Sequence, residues 1–253
     1  MNAKSARKRL DILLVERGLA QSRQRAQAMI LAGEVEIDGK RADKAGTSTL
    51  EDAKIEVHSR LQKYASRGGF KLEGALEDFA VIPAGKVCLD VGASNGGFTD
   101  CLLQNGATRV YAVDVNTDQL DWKLRADSRV VSLKKNAREL VAEDLPEAVD
   151  LVVADVSFIA VKKVLSGTVL CAKPGAEFLI LIKPQFELDR DEVGKGGIVR
   201  ESELHQKAIE SVRQTATAIG LACLGVLPSK LMGVEGNQEY FLHARKFSAI
   251  ESR

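Results

Sequence analysis

The chain has 253 residues, room for one or two domains, and 45% of them are hydrophobic, ordinary for a protein with its own core. Its net charge of +1 points by itself to no polyanion partner. No uninterrupted apolar run approaches the ~18 residues of a spanning helix, which argues against a helical membrane protein. Cys88, Cys101, Cys171 and Cys223 form no C-x-x-C pair, and no histidine is placed to complete a zinc set. They read as reduced thiols. With a charged N-terminus that has no apolar export segment, they point to the cytoplasm.

The charge is unevenly spread. Residues 1–67 hold 14 Lys and Arg against 9 Asp and Glu, a net of +5, and the remainder nets −4. A basic end on a mildly acidic body suits a polyanion contact made by that end; the other reading is a solvated basic face. Residues 1–8 read as a basic arm. From Arg9 the spacing predicts a helix with Leu10, Leu13 and Leu14 on one face, ended by Gly18. Ser22 predicts the cap of a second helix, with Ala26, Met29 and Ile30 inward and Arg23 and Arg25 elsewhere, stopped by Gly33. Val35 and Ile37 alternate as a strand, Asp38-Gly39 is a hairpin turn, and Ile55 and Val57 close a small sheet. The polar, basic stretch 59–66 reads as a linker.

The residues Arg9-Leu10-Asp11, Gly18-Leu19, Ser22-Arg23, Ala26, Ile30, Gly33, Val35 and Gly39 resemble, in that order, the small α+β RNA-binding domain of ribosomal protein S-four and of pseudouridine synthases. The resemblance implies such a domain over residues 1–58. It would read RNA shape and phosphates more than sequence, through Lys8, Arg9, Ser22, Arg23, Arg25, Lys40 and Lys44, with Arg67 added after the linker.

From residue 67 the pattern changes to alternating strands and helices. A helix is expected from Leu72 to about Phe79. Strands are expected near 87–91, 110–114, 130–133, 150–156, 177–183, 223–227 and 239–244, with a helix over Glu201 to Ile219. That rhythm predicts an α/β domain over 67–253, a mostly parallel sheet with helices on both faces. The apolar run Val87 to Val91 ends in Gly92-Ala93-Ser94-Asn95-Gly96-Gly97-Phe98, a strand–glycine turn–helix geometry that brings a ligand to a helix N-terminus. The next strand ends in an acid, Asp114, close to where a dinucleotide fold holds a ribose. D-x-G-x-x-x-G-G resembles motif I of S-adenosylmethionine-dependent methyltransferases; a glycine turn of another α/β fold is the alternative. The resemblance implies S-adenosylmethionine on Asp90, Gly92, Ala93, Ser94, Gly96, Gly97 and Phe98, with Asp114 on its ribose and Asn136 near its adenine. Asp118, Asp121 and Trp122 read as helix surface and core.

Four ionisable residues stand at strand or helix ends. Lys71 follows the Arg67-Gly68-Gly69 turn and opens a helix. Asp155 ends the run 151–154, Lys183 ends the run 178–182, and Glu239 opens the last strand. A lysine closing so apolar a strand is costly unless paired or functional; a structural ion pair with Asp155 is the plain reading. Lys71, Asp155, Lys183 and Glu239 resemble the Lys-Asp-Lys-Glu tetrad of FtsJ-type ribose 2′-O-methyltransferases. With the domain ahead of it, the chain resembles the TlyA, or haemolysin A, family, carried by Ser66-Arg67-Gly68-Gly69, Asp155-Val156-Ser157-Phe158-Ile159 and Lys183-Pro184-Gln185-Phe186-Glu187. Ser94-Asn95 departs from that family's alanine-proline pair. The resemblance implies methyl transfer to a ribose 2′-hydroxyl of ribosomal RNA, of a cytidine. Lys183 would be the base, kept partly neutral by Lys71 and burial, and Asp155 and Glu239 would orient the two lysines. No metal is required. Two other classes stand beside this one: a secreted pore-forming haemolysin, opposed by the missing export signal, and a catalytically inactive ribosome-binding module. The stretch Glu187 to Arg200, rich in glycine, reads as a closing lid or as an ordinary surface loop.

Overall fold

The computed structural model describes residues 7–20, 22–31, 33–57, 63–233 and 236–247, so most of the basic arm, residue 58 and residues 59–62 of the expected linker lie outside the described residues. The chain divides into two compact units, Met1–Lys63 and Tyr64–Arg253.

The first unit runs β1 (Arg7–Arg9), α1 (Leu10–Glu16), α2 (Arg23–Leu31), β2 (Val35–Ile37), β3 (Lys40–Arg41), β4 (Ser48–Leu50) and β5 (Ile55–Val57). β2 lies between β3 and β5, and β1 pairs with β4. Lys8 and Arg9 therefore belong to a strand that leads into α1, not to an arm and a helix start. Leu10, Leu14, Ala26, Ile30 and Val35 are fully buried and form the core. The stops are those the sequence announces. Gly18 takes φ +69 just beyond α1, where the Leu19 N–H donates to the Leu14 carbonyl at 2.8 Å. Ser22 Oγ accepts from the Arg25 N–H at 3.2 Å and caps α2. Asp38 and Gly39, at φ +50 and +76, make the two-residue turn that closes the β2–β3 hairpin.

The second unit opens with α3 (Gly68–Asp78), β6 (Val87–Val91), α4 (Gly97–Gln104), β7 (Arg109–Asp114), α5 (Trp122–Ala126), β8 (Val130–Lys134) and β9 (Val149–Ala154). It continues through α6 (Leu165–Cys171), β10 (Ala172–Ile182), α7 (Pro184–Glu187), α8 (Ser202–Ala218), β11 (Leu221–Pro228) and β12 (Tyr240–Lys246). One seven-stranded sheet has the order β11-β12-β10-β9-β6-β7-β8. Neighbours from β10 to β8 run parallel, and β12 is antiparallel to both β10 and β11. Both faces are buried, and the strands divide between them with period two. Val152, Ala154, Phe178 and Ile180 join the α6 and α8 layer, while Leu151, Val153, Leu179 and Leu181 join the α3 and α4 layer. After β6 the chain builds outward to β7 and β8, then returns to place β9 on β6's other side. That reversal opens a crevice at the C-terminal ends of β6 and β9.

α3 starts four residues before the predicted Leu72, so Lys71 sits inside the helix and not at its mouth. Two consecutive glycines disfavour a helix by about 1 kcal/mol each. Packing overrides this. A Cβ on Gly69 would stand 2.3 Å from Tyr64, and one on Gly97 would stand 2.9 Å from the Gly69 nitrogen, so α3 and α4 meet at their glycines. Tyr64 is 1% exposed and donates to Glu73 at 2.9 Å, and the Ala65 N–H donates to Asp100 at 2.8 Å. The segment 64–66, expected as linker, is thus a packed part of the second unit.

Candidate active site

The four tetrad residues meet at the carboxyl end of the sheet as two ion pairs. Lys71 Nζ lies 2.5 Å from Glu239 Oε2, and Lys183 Nζ lies 2.5 Å from Asp155 Oδ1. Lys183 also donates to Ser157 Oγ at 2.8 Å. Lys71, Lys183 and Glu239 are buried, at 9%, 8% and 3% exposure, so each charge leans on its partner. Removing one member of such a pair strands the other charge, a loss of about 3–5 kcal/mol. All four line one cleft of about 430 Å³, together with Ser66, Arg67 and the aromatic rings of Phe98, Phe158 and Phe186. Gly233 makes room for Glu239: a Cβ there would stand 2.7 Å from Oε1.

A second cavity of about 480 Å³ adjoins the cleft, and Gly92, Ser94, Asp155, Ser157 and Phe158 line both. Asp114 and Asn136 stand in its wall. Asp114 closes the turn by accepting from the Ser94 and Asn116 N–H groups, each at 2.9 Å. Asn136 caps the turn after β8, accepting from the Arg138 N–H at 3.2 Å. Gly92, at φ +86, must be glycine, because a Cβ would stand 2.3 Å from the Asp155 carbonyl. Ala93, Gly97 and Phe98 line the cleft. The residues present suit S-adenosylmethionine: the backbone cradle at Gly92 is bare, the Asp114 carboxylate in the cavity wall can accept from hydroxyl groups, and the lysines stand next door.

Two residues expected on the cofactor line neither cavity. Asp90 is fully buried beneath α4, where Oδ2 accepts from Thr99 Oγ1 at 2.6 Å and Oδ1 has no partner. Burial pushes its carboxyl up to about 7, and the nearby charges of Asp155 and Asp114 add to this. Its strand parity with Cys88 points it into the core. Gly96, at φ +92, faces leucines: a Cβ there would stand 2.2 Å from Leu124 Cδ1 and 2.8 Å from Leu120 Cδ1. Trp122, expected in the core or on a helix surface, is 63% exposed.

The sequence reading passed over Ser157, Phe158, Gln185 and Phe186. Phe158 is 92% exposed and holds φ +63, a region costly for an aromatic residue, with its ring 5.6 Å from that of Phe186. Only the strings around Asp155 and Lys183 hinted at these residues. Glu187, the last residue of the second string, reaches the segment just beyond the first, since its Oε1 accepts from the Val161 N–H at 2.5 Å. Burial pushes its carboxyl up to about 7. The glycine-rich loop is anchored at its far end. Asn237 accepts from the Val199 N–H at 2.9 Å and donates to the Gly197 carbonyl at 2.7 Å. His205 Nε2 lies 3.0 Å from the Val199 carbonyl, which fixes Nε2 as the donor and leaves Nδ1 to accept from Tyr240. The surface-loop reading suits these ties better than the lid.

In the first unit, Asp11 is fully buried and gathers Arg9 Nε and Nη2 (both 3.0 Å), Arg23 Nε (2.9 Å) and Gln27 Nε2 (2.9 Å). The Arg9 guanidinium, helped by Gln27 and Arg23, holds its carboxyl well below the usual range. Lys8 pairs with Glu16 and Glu51. Ser22, Arg25, Lys40 and Lys44 are exposed.

A switch-point cavity opening onto buried lysine–carboxylate pairs is a methyltransferase arrangement. The comparison with known proteins makes the class specific: the chain belongs to the FtsJ-like methyltransferase family, which matches residues 64–246, and an S4 domain matches residues 8–48. It is 47% identical over 241 residues to the 16S/23S rRNA (cytidine-2'-O)-methyltransferase TlyA of Mycobacterium tuberculosis, covering 94% of this chain and 90% of that one. It is 40% identical to Hemolysin A of Brachyspira hyodysenteriae, covering 93% and 98%. A solved structure from Streptococcus thermophilus superposes with a TM-score of 0.76 at 37% identity, covering 98% of this chain and 93% of that one.

Proposed function

We propose that this chain methylates a ribose 2′-hydroxyl of ribosomal RNA, that of a cytidine, in the cytoplasm, with S-adenosylmethionine as donor and Lys183 as base. The observation that carries the reading is the pair of buried lysine–carboxylate contacts on the wall of a cleft that shares its floor with the cavity of Gly92 and Asp114. When bound, S-adenosylmethionine supplies a methyl group on a sulfonium. Gly92, Ala93, Ser94 and Gly97 would hold its methionine part, Asp114 would accept from its ribose hydroxyls, and Asn136 would lie toward its adenine. Lys183 Nζ, acting as the neutral amine, takes the proton of the 2′-oxygen, and Asp155 and Ser157 hold the ammonium formed. Lys71, oriented by Glu239, sets a fixed positive charge beside the oxygen as it becomes nucleophilic. Phe98 and Phe158 give the cleft apolar walls.

Lys183→Ala is expected to lower single-turnover methyl transfer by about 10²–10⁴-fold. Cofactor affinity, read by calorimetry, should stay near wild type. Lys183→Arg should not rescue, because a guanidinium cannot be deprotonated near neutral pH. Mapping 2′-O-methylation of ribosomal RNA from cells with and without the gene names the nucleotide. Substantial activity in Lys183→Arg would move the base elsewhere, and failure of the wild type to bind S-adenosylmethionine would favour the inactive module. The haemolysin reading rests on a relative's name; erythrocyte lysis that persists in Lys183→Ala would support it.

A further inference from the structure

Trp122 is the sole tryptophan of the chain and is left 63% exposed on α5. The helix that presents it is short but firmly seated. Asp121 caps it, its Oδ1 accepting from the Lys123 N–H at 2.8 Å. The Asp121 N–H donates to the Asn95 carbonyl at 3.2 Å, and Asn95 lines the active cleft. Leu120 and Leu124, buried at 3% and 6%, pack beneath the glycine turn, which turns the indole outward. The Lys123 ammonium stands 5.9 Å from the ring centroid, and Arg125 follows, exposed. Among the described residues neither Lys123 nor Arg125 pairs with a carboxylate. Of the neighbouring acids, Asp121 is used in the cap and Asp127 pairs with Arg129 at 2.7 Å, leaving Asp118 against the two cations.

The kind of partner follows from this setting. A protein or a membrane surface covers contiguous apolar area, whereas the other large apolar residues of this element are buried and the ring stands alone among charges. A lone ring flanked by unpaired cations suits a nucleobase stacked on the indole with its phosphates on the lysine and arginine. We propose that α5 is an RNA contact of the methyltransferase unit itself: Trp122 stacks on an unpaired base near the acceptor nucleotide, and Lys123 and Arg125 meet its backbone. This rests on the reading of RNA as substrate.

The indole is its own reporter. The full chain is titrated with protein-free ribosomal RNA while tryptophan emission and filter retention are followed together. Emission should be quenched with the same midpoint as retention. Trp122→Ala should weaken retention by about 5- to 100-fold, with the melting temperature unchanged, and Trp122→Phe should recover part of the loss. Replacing Lys123 and Arg125 with Ala should flatten the logarithmic salt dependence by about 0.7 for each phosphate no longer neutralised. Saturated RNA binding with unchanged emission, or wild-type retention by Trp122→Ala, overturns the proposal. Failure of the underlying reading looks different: the wild type then neither retains RNA nor methylates it.

Discussion

Asp11 and Asp90 are both carboxylates at 0% exposure, and their partners set them apart. Asp11 has two guanidiniums and an amide; Asp90 has one hydroxyl and an oxygen with no partner. Asp11 therefore contributes stability above the ordinary carboxylate pKa and loses it as pH falls, because its folded-state value is depressed. Asp90 works in the opposite sense. Its folded-state value is raised to about 7, so its contribution is full below an unfolded value of about 4 and is lost as pH rises through about 7. Asp90→Asn removes the titration while keeping an acceptor for Thr99. The melting temperature of the variant minus that of the wild type should climb between pH 4 and pH 8, by an amount worth roughly 2–4 kcal/mol. Because Asp90 lines neither cavity, cofactor affinity should not follow. Parallel melting profiles across that range would show that Asp90 titrates like an exposed acid.

At the scale of elements, the turn between β6 and α4 sets its glycines against different neighbours. Gly92 must clear a backbone carbonyl of β9's exit, whereas Gly96 must clear the flexible ends of two leucines. Gly96→Ala should therefore cost stability, about 1–2 kcal/mol from the left-handed backbone, and leave S-adenosylmethionine affinity within a few-fold well below the melting temperature. Gly92→Ala should part β6 from β9 and abolish affinity. Calorimetry beside urea denaturation separates the two, and equal loss of affinity would return Gly96 to the binding surface. The same turn shows what the sequence makes legible. Strands such as 151–154 and 178–182 read correctly because a sheet buried on both faces is written as short apolar runs. Asp155 and Lys183 stood out because charges ending such runs are conspicuous, whereas Lys71 and Glu239 joined them through the resemblance to the FtsJ tetrad. Which lysine pairs with which carboxylate, the early start of α3 and the burial of Asp90 depend on neighbours distant in sequence or packed from another element, such as Tyr64 against Gly69, and leave no local trace.

Across the whole molecule, a basic first unit and a mildly acidic second unit each own a core. Within the first unit the basic residues are not equivalent. Arg9 and Arg23 are about half exposed, yet their guanidiniums are held by Asp11, which fixes them for a partner at less entropic cost. Lys40 and Lys44 stand exposed on the hairpin and the loop after it. Two outcomes should therefore separate. Lys40→Ala combined with Lys44→Ala should weaken ribosomal RNA binding and lower its logarithmic salt slope by roughly 0.7–0.9 for each phosphate left without its cation, with no change in melting temperature. Arg23→Ala should weaken binding as well, but should also lower the first unit's stability at neutral pH, by a deficit that narrows as pH falls, because Asp11 loses a partner that holds it ionised. S-adenosylmethionine affinity should be unchanged in both. A double lysine variant that binds RNA with wild-type affinity and salt slope would remove that face from the RNA interface, and Arg23→Ala with wild-type melting would show that Arg9 and Gln27 suffice for Asp11.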